Sequence, residues 1–233
     1  MLVARLDQPG EPILSFRAMA ESDWAMLTKD APDKPMQSER SYRILSAVGP
    51  FLSVEEQDDC DCGGAHPSAS KHFRAFDLRK SSRDHPAFTS LTDIFPEEAV
   101  FAALRGDKLV ASALKDVEGP PPTSLPELLK AIQVKPVQVG ECSYNFRPDL
   151  LTDFAFYSVE ADDVAVRISL SHAAEVCRGQ MTQVGIRLPI PVSLKSRFDA
   201  AREGKSGLLM VRARRGAEGT SMTFTFSTKD YGK

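Results

Sequence analysis

The densest group of side chains able to do chemistry lies in the segment from residue 58 to residue 66. It holds three carboxylates, two thiols and one imidazole, contributed by Asp58, Asp59, Cys60, Asp61, Cys62 and His66. Zinc accepts such ligands, but its usual cysteine pairs are separated by about two to four residues so that the chain can wrap around the ion. Only one residue separates Cys60 from Cys62. We therefore expect no metal in this segment, and nothing elsewhere in the sequence predicts a cofactor.

Nucleophilic catalysis would need a serine or cysteine beside a histidine base. Besides His66, the sequence contains His72, His85 and His172, and none of them lies in a hydrolase motif such as Gly-x-Ser-x-Gly. His172 could form a dyad with Cys177, although lone thiols are mostly buried as small apolar groups. These patterns favour a protein that is not an enzyme.

The composition is that of an ordinary soluble globular chain. Of the 233 residues, 42% are hydrophobic and 26% are charged. The 29 basic and 32 acidic residues give a net charge of −3, so the sequence lacks the basic surplus typical of nucleic-acid-binding domains. No segment approaches the roughly 20 apolar residues that a membrane-spanning helix needs. We expect neither nucleic acid binding nor a transmembrane segment.

The cysteines are disulfide candidates: Cys60, Cys62, Cys142 and Cys177. Four cysteines allow three pairings, and four reduced thiols in a cytosolic protein are the alternative. A bond between Cys60 and Cys62 would be strained at this spacing. The spacing therefore favours bridges from that pair to the two distant cysteines.

Hydrophobic periodicity predicts helices and strands interspersed along the chain. Strands are predicted over 40–48, 51–56, 71–79, 154–158, 164–168 and 184–188. Helices are predicted over 13–27, from about 90 to 115, over 125–132 and over 191–201. Residues 208–214 and 221–228 alternate in a way that predicts a final hairpin. Because hairpins outnumber strand–helix–strand units, we predict an α+β fold with a largely antiparallel sheet packed with a few helices.

A proline run near the middle of the chain divides the sequence into two parts. Gly119 is followed by Pro120, Pro121 and Pro122, which must end the preceding helix. We predict an N-terminal half over 1–118, a proline-rich linker over 119–124 and a C-terminal half over 125–233. The two halves are expected to fold together as one unit.

Several short motifs occur in a recognisable order. They are Leu52-Ser53-Val54, Gly63-Gly64-Ala65-His66-Pro67, Phe76-Asp77-Leu78 and Ser90-Leu91-Thr92-Asp93-Ile94-Phe95. With these motifs, residues 13–200 resemble a bacterial extracytoplasmic domain family of initially unknown function. That family is found in the lysozyme-sensing anti-sigma factor of Gram-positive bacteria and beside the catalytic domain of a peptidoglycan deacetylase.

The resemblance implies a non-catalytic binding module. Its expected partner is a lysozyme-like or other peptidoglycan-active protein, which it would inhibit, sense or confer immunity against, or else wall glycan. Gly63, Gly64, Ala65, His66 and Pro67 are the candidate binding residues, although a structural connection between strands is the favoured interpretation of this segment. The alternative function is a cell-wall hydrolase or deacetylase that uses acids and His66, with or without a metal.

The start of the sequence gives two interpretations of location. Met1 is followed by no basic flank and apolar run of a secretory signal, which taken literally indicates the cytoplasm. A signal removed before this start is the other interpretation. The resemblance implies a periplasmic or otherwise extracytoplasmic protein, and export would favour disulfides.

Overall fold

The computed structural model describes residues 14–29, 33–83, 85–115, 117–173, 175–213 and 221–228. These residues form an α+β fold in which antiparallel sheets pack against a few helices, as predicted. The helices are α1 (Phe16–Lys29), α2 (Glu97–Arg105), α3 (Lys108–Leu114), α4 (Leu125–Ile132), α5 (Lys195–Glu203) and α6 (Met210–Ala213). The strands are β1 (Gln37–Val48), β2 (Phe51–Asp61), β3 (Ser68–Asp77), β4 (Val137–Val139), β5 (Cys142–Asn145), β6 (Phe154–Glu160), β7 (Asp163–His172), β8 (Met181–Pro189) and β9 (Ser221–Ser227).

The first sheet has four strands in the order β3-β2-β1-β9. β1 and β2 form a hairpin whose turn contains Gly49 at a φ of 56°, a left-handed conformation that glycine adopts without steric cost. β9 pairs antiparallel with the other edge of β1, with Met222 opposite Tyr42. A strand from the far end of the described chain therefore completes the sheet that begins at residue 37.

The second sheet is built around β7. This strand pairs antiparallel with β6, with β8 and, at its end, with β5, which in turn pairs with β4. Six of its ten residues are buried, because β7 lies inside the sheet and its apolar side chains belong to the main hydrophobic core. Phe156 packs edge to face with Phe95 and with Phe198 of α5, at ring centroid distances of 6.4 and 5.0 Å.

A smaller apolar cluster lies between α1 and one face of the first sheet. Phe16 of α1 stacks on Tyr42 of β1 with ring centroids 4.8 Å apart, and both residues are fully buried. Farther along α1, Trp24 stacks on Phe226 of β9 at 5.8 Å. These contacts fix α1 across the sheet, and the space beneath its C-terminal half holds the site described below.

Two sequence predictions about elements were wrong. The helix predicted to run to about residue 115 is divided into α2 and α3, because the Asp107 carboxylate accepts hydrogen bonds from the N–H groups of Leu109 and Val110 and starts a new helix. The final hairpin does not form. Residues 210–213 are helical, and β9 pairs with β1 instead; residues 214–220 lie outside the described residues.

The proline-rich segment connects α3 with α4. Both helices contribute to the same apolar core, with Val110 and Leu128 fully buried in it. Among the helices described, none has the length and apolar character needed to cross a membrane.

Candidate functional site

An open groove of about 620 Å³ lies between the C-terminal half of α1 and the first sheet. Its apolar side chains are Met26, Leu27 and Met36, and the charged or ionisable ones are Asp23, Arg40, Glu56, Asp58, His72 and Arg74. A smaller space of about 210 Å³ adjoins it and is lined by Trp24, Cys60 and Phe226, among others. We call the two spaces together the α1 groove.

Strand register explains why these polar side chains share a face. Arg40 in β1 lies opposite Asp58 in β2, and Glu56 in β2 lies opposite His72 in β3. Arg74 follows His72 by two residues. Because side chains two residues apart point to the same side of a strand, pairing at this register gathers all five under α1.

Arg40 is the centre of the acidic part of the groove. Its guanidinium group contacts the carboxylates of Asp23 in α1, of Glu56 at 3.4 Å and of Asp58 at 3.1 Å. The Arg40 side chain is only 16% exposed. One guanidinium therefore neutralises part of the charge of three carboxylates and ties α1 to β1 and β2.

His72 and Glu56 form a buried pair at the floor of the groove. The His72 Nε2 and Glu56 Oε2 atoms are 3.4 Å apart, and each residue is 6% exposed. At this distance and geometry, both ring nitrogens of His72 are left without a hydrogen-bond partner. Burial lowers the pKa of His72, and the neighbouring Glu56 carboxylate offsets only part of this effect. The positive charge of Arg74 also lowers the pKa, so the imidazole is neutral at neutral pH.

For Glu56, in contrast to His72, neighbouring groups outweigh the effect of burial on the pKa. Burial alone would raise it, but the contacts with His72, Arg40 and Arg74 outweigh burial and bring the pKa below its usual value. Glu56 is therefore ionised at neutral pH. The floor of the groove carries a carboxylate beside a neutral imidazole.

Arg74 extends this network to the second half of the chain. Its Nη1 atom lies 2.9 Å from Asp149 Oδ2 and 3.3 Å from Asp153 Oδ1. Arg147 donates to Asp149 through two nitrogens, at 3.0 and 2.7 Å. Asp153 has no exposed side-chain surface, and burial raises its pKa to about 7 despite the two nearby arginines.

The network contains more acids than bases. Its ionisable groups, apart from His72, are the carboxyl groups of Asp23, Glu56, Asp58, Asp149 and Asp153 and the guanidinium groups of Arg40, Arg74 and Arg147. Five carboxyl groups thus face three guanidinium groups, and a pKa near 7 leaves Asp153 partly protonated at neutral pH. The network as a whole is negative, and a cation would be attracted to its open side.

The loop predicted to bind, Gly63-Gly64-Ala65-His66-Pro67, is the exposed turn between β2 and β3. Gly63 has a φ of 74°, and the Pro67 carbonyl accepts a hydrogen bond from Arg178. Cys60 and Cys62 before the loop and Ser68 after it line the α1 groove, but the five loop residues do not. The structure thus places the predicted loop at the end of the groove rather than in it.

The predicted pattern of disulfides was wrong. Cys60 bonds to Cys62, with Cα atoms 5.4 Å apart, and Cys142 bonds to Cys177, with Cα atoms 5.8 Å apart. The expected bridges between the close pair and the distant pair do not form, because Cys142 in β5 lies beside the short helical turn 175–177. Since Cys177 is bonded, the Cys177–His172 dyad has no thiol.

Within the described ranges, no cluster of three or more histidine, cysteine, aspartate or glutamate side chains has an arrangement that could hold a metal ion. This includes the segment from Asp58 to His66. Its acids point to alternating sides of β2, and Asp58 belongs to the Arg40 network while Asp59 accepts from Gln57.

Sequence reasoning missed the α1 groove. Its signal was the occurrence of charged or ionisable residues inside or just beyond segments predicted as strands: Arg40, Glu56, His72 and Arg74. No protein-family model matches this chain, and neither the curated proteins nor the solved structures compared with it gave a significant match.

Proposed function

We propose that this protein is a non-catalytic binding module that acts outside the cytoplasm and engages a protein partner through the α1 groove. The observation that carries the proposal is an apolar rim beside a negative floor. Met26 and Leu27 of α1 are 62% and 39% exposed at the edge of the groove. Exposed apolar side chains next to charged groups are a common feature of protein-binding surfaces.

The partner class comes from the resemblance to the lysozyme-sensing and deacetylase-associated domains. We propose a lysozyme-like or other peptidoglycan-active protein, in an inhibitor, sensor or immunity role. Wall glycan is the weaker choice, because only 8% of the residues are aromatic and the single tryptophan, Trp24, has one face stacked on Phe226. Sugar rings need a free aromatic face to pack against.

The ionisation of the groove supports binding rather than chemistry. A general acid or base works best with a pKa near the working pH, whereas both Glu56 and His72 have pKa values below their usual ones. Asp153, with a pKa of about 7, has no exposed side-chain surface and does not line the groove. The two disulfides support an oxidising location, since such bonds persist mainly outside the cytoplasm.

Calorimetric titration tests the proposal. The protein should bind a lysozyme-type muramidase and fail to bind soluble muropeptides of comparable concentration. Met26→Asp and Leu27→Asp should each weaken muramidase binding at least tenfold, because they place a carboxylate on the apolar rim. Val192→Asp is the matched control, since Val192 is 93% exposed and lies outside the groove. Absence of binding to every muramidase tried would overturn the proposal.

A wall hydrolase or deacetylase is the second candidate, favoured by one observation. Glu56 and His72 form a buried ionisable pair that opens into the groove, an arrangement also used for proton transfer. Turnover of peptidoglycan that His72→Gln abolishes without changing the melting temperature would establish this alternative. If His66→Ala abolished turnover in the same way, with an unchanged melting temperature, the chemistry would lie at the loop from Gly63 to Pro67 instead.

A further inference from the structure

We propose that the α1 groove recognises a basic side chain of its protein partner, an arginine or lysine, through Asp58, Asp23 and the imidazole of His72. This inference rests on the proposed function, because it specifies what the groove binds. It begins from the composition of the groove, where three carboxylates line the space. One guanidinium group, that of Arg40, contacts all three, and the other, that of Arg74, is shared with acids outside the groove.

The charges in the groove are incompletely balanced. Arg40 serves Asp23, Glu56 and Asp58 at once, and Arg74 divides its donors among Glu56, Asp149 and Asp153. The Asp23 and Asp58 side chains are 43% and 26% exposed, so their free oxygen lone pairs are accessible from the groove. A positively charged hydrogen-bond donor that enters the groove would bind these free carboxylate oxygens.

His72 provides an independent indication of a ligand. It is more than nine-tenths buried and it lines the groove. Apart from the Glu56 contact at 3.4 Å, neither of its ring nitrogens has a hydrogen-bond partner among the described residues. A buried polar group left in this state destabilises the folded protein, because it has lost its hydrogen bonds to water. A neutral imidazole has one acceptor nitrogen, and the low pKa of His72 keeps that acceptor available at neutral pH. An N–H donor reaching the floor would satisfy it.

The apolar side chains indicate what carries the donor. Met26, Leu27 and Met36 line the same groove as the carboxylates. Arginine and lysine bury their methylene stems against apolar surface while the charged end meets acids. An inorganic cation would gain nothing from these walls. A basic side chain presented by a protein uses both the walls and the floor, and the exposed rim formed by Met26 and Leu27 would contact the surrounding partner surface.

The first test uses N-acetyl-L-arginine amide, with N-acetyl-L-citrulline amide as the uncharged analogue of the same shape. NMR titration should show saturable shifts of the His72 ring signals with the arginine compound and at least tenfold weaker binding of the citrulline compound. Asp58→Asn and Asp23→Asn should each weaken arginine binding at least fivefold. Asp162→Asn is the control, because Asp162 is 88% exposed and pairs with Lys195 outside the groove.

Equal binding of the arginine and citrulline compounds, or unchanged affinity in both aspartate variants, would overturn the inference. Asp23 is half exposed, so its variant gives an interpretable result even if Asp58→Asn folds poorly.

A competition experiment separates this inference from the proposed function. Saturating N-acetyl-L-arginine amide should weaken muramidase binding at least fivefold. If muramidase binds equally well with and without the competitor, the binding module stands and the basic side chain is the wrong determinant. If the arginine compound binds in the groove but no muramidase binds, recognition of a basic side chain is supported and a peptidoglycan-active partner is excluded.

Discussion

The backbone N–H of Phe73 in β3 donates a hydrogen bond of 2.8 Å to the hydroxyl oxygen of Ser169 in β7. Both residues are buried, and they belong to different sheets. A second contact of the same kind joins the Phe156 N–H in β6 to Ser46 Oγ in β1, at 3.1 Å. Buried serines thus accept from backbone groups that neither sheet pairs internally, and they join the two sheets.

Ser169→Ala should lower the free energy of unfolding by about 1–3 kcal/mol, because it leaves the buried Phe73 N–H without an acceptor. Urea denaturation measures this loss. Ser206→Ala is the control, since Ser206 is exposed, and it should change stability by less than about 0.5 kcal/mol. If Ser169→Ala also changed stability by less than about 0.5 kcal/mol, water or another group would have to replace the hydroxyl as the acceptor.

Asp153→Asn should change how stability depends on pH. The pKa of Asp153 is about 7 in the folded protein and near 3.8 in the unfolded chain. Between these values the folded state holds a proton that the unfolded state has lost, so the free energy of unfolding falls as pH rises. Wild type should therefore lose up to about 4 kcal/mol relative to Asp153→Asn between pH 4 and pH 8.

Denaturation of both proteins at several pH values measures this difference. The neighbouring groups Arg74, Arg147 and Asp149 are present in both proteins, so most of their own pH dependence cancels. A difference between the two proteins that stays constant over the range would contradict the raised pKa.

Arg40→Met should destabilise the protein by about 3–5 kcal/mol, since it leaves the buried Glu56 carboxylate without its partner from β1. Thermal and urea denaturation measure the effect. The control is Arg17→Met, because Arg17 is 68% exposed and its ion pair with Glu21 should contribute less than about 1 kcal/mol. Adding Asp58→Asn to Arg40→Met should restore part of the loss by removing one unpaired charge.

The two disulfides should differ in their contribution to stability. Cys142 and Cys177 are 35 residues apart, and replacing both with alanine should cost about 4 kcal/mol through the entropy of the unfolded chain. Cys60 and Cys62 are 2 residues apart, and the same replacement there should cost about 1.5 kcal/mol. Melting of the two double variants ranks them. Peptide mapping without reduction checks the pairing, and any Cys60–Cys142 peptide would contradict it.

His66→Ala should leave the melting temperature within about 1 °C of wild type, because His66 is exposed and makes no hydrogen bond or ion pair with the rest of the described chain. Gly63→Ala should cost about 1 kcal/mol instead, since Gly63 has a φ of 74°. If the loop from Gly63 to Pro67 contacts the partner, His66→Ala will weaken muramidase binding while stability is unchanged. Unchanged affinity would assign the loop a connecting role only.

Local patterns predicted most of the elements. Alternation located β6, β7 and β8, because a strand with one buried face shows a two-residue periodicity of apolar side chains. The Ser124 cap located α4, and its hydroxyl accepts from the Glu127 N–H. The break between α2 and α3 had a local signal too, since Gly106 and Asp107 are a typical helix end and helix start.

Long-range pairing explains what the sequence did not reveal. Residues 208–213 alternate like a strand, but Leu208 forms a single bridge to Ala47 and the chain then turns into α6. The α1 groove depends on which residues of β1, β2 and β3 lie opposite one another. This register is set by the packing of the whole sheet and by the turns, and local sequence patterns do not predict it. In the sequence, Arg40, His72 and Arg74 therefore gave no sign that they lie together.

The pairing of β9 with β1 also bears on how the protein is made. The Met36 N–H donates a hydrogen bond to Thr228 Oγ1, which is 192 residues farther along the chain. During synthesis, one edge of β1 would therefore remain unpaired until residues 221–228 had left the ribosome. Contacts between residues so far apart in sequence slow folding and prolong the exposure of unpaired, aggregation-prone strand edges. Truncation shortly before residue 221 should therefore give an aggregating product rather than a smaller soluble one.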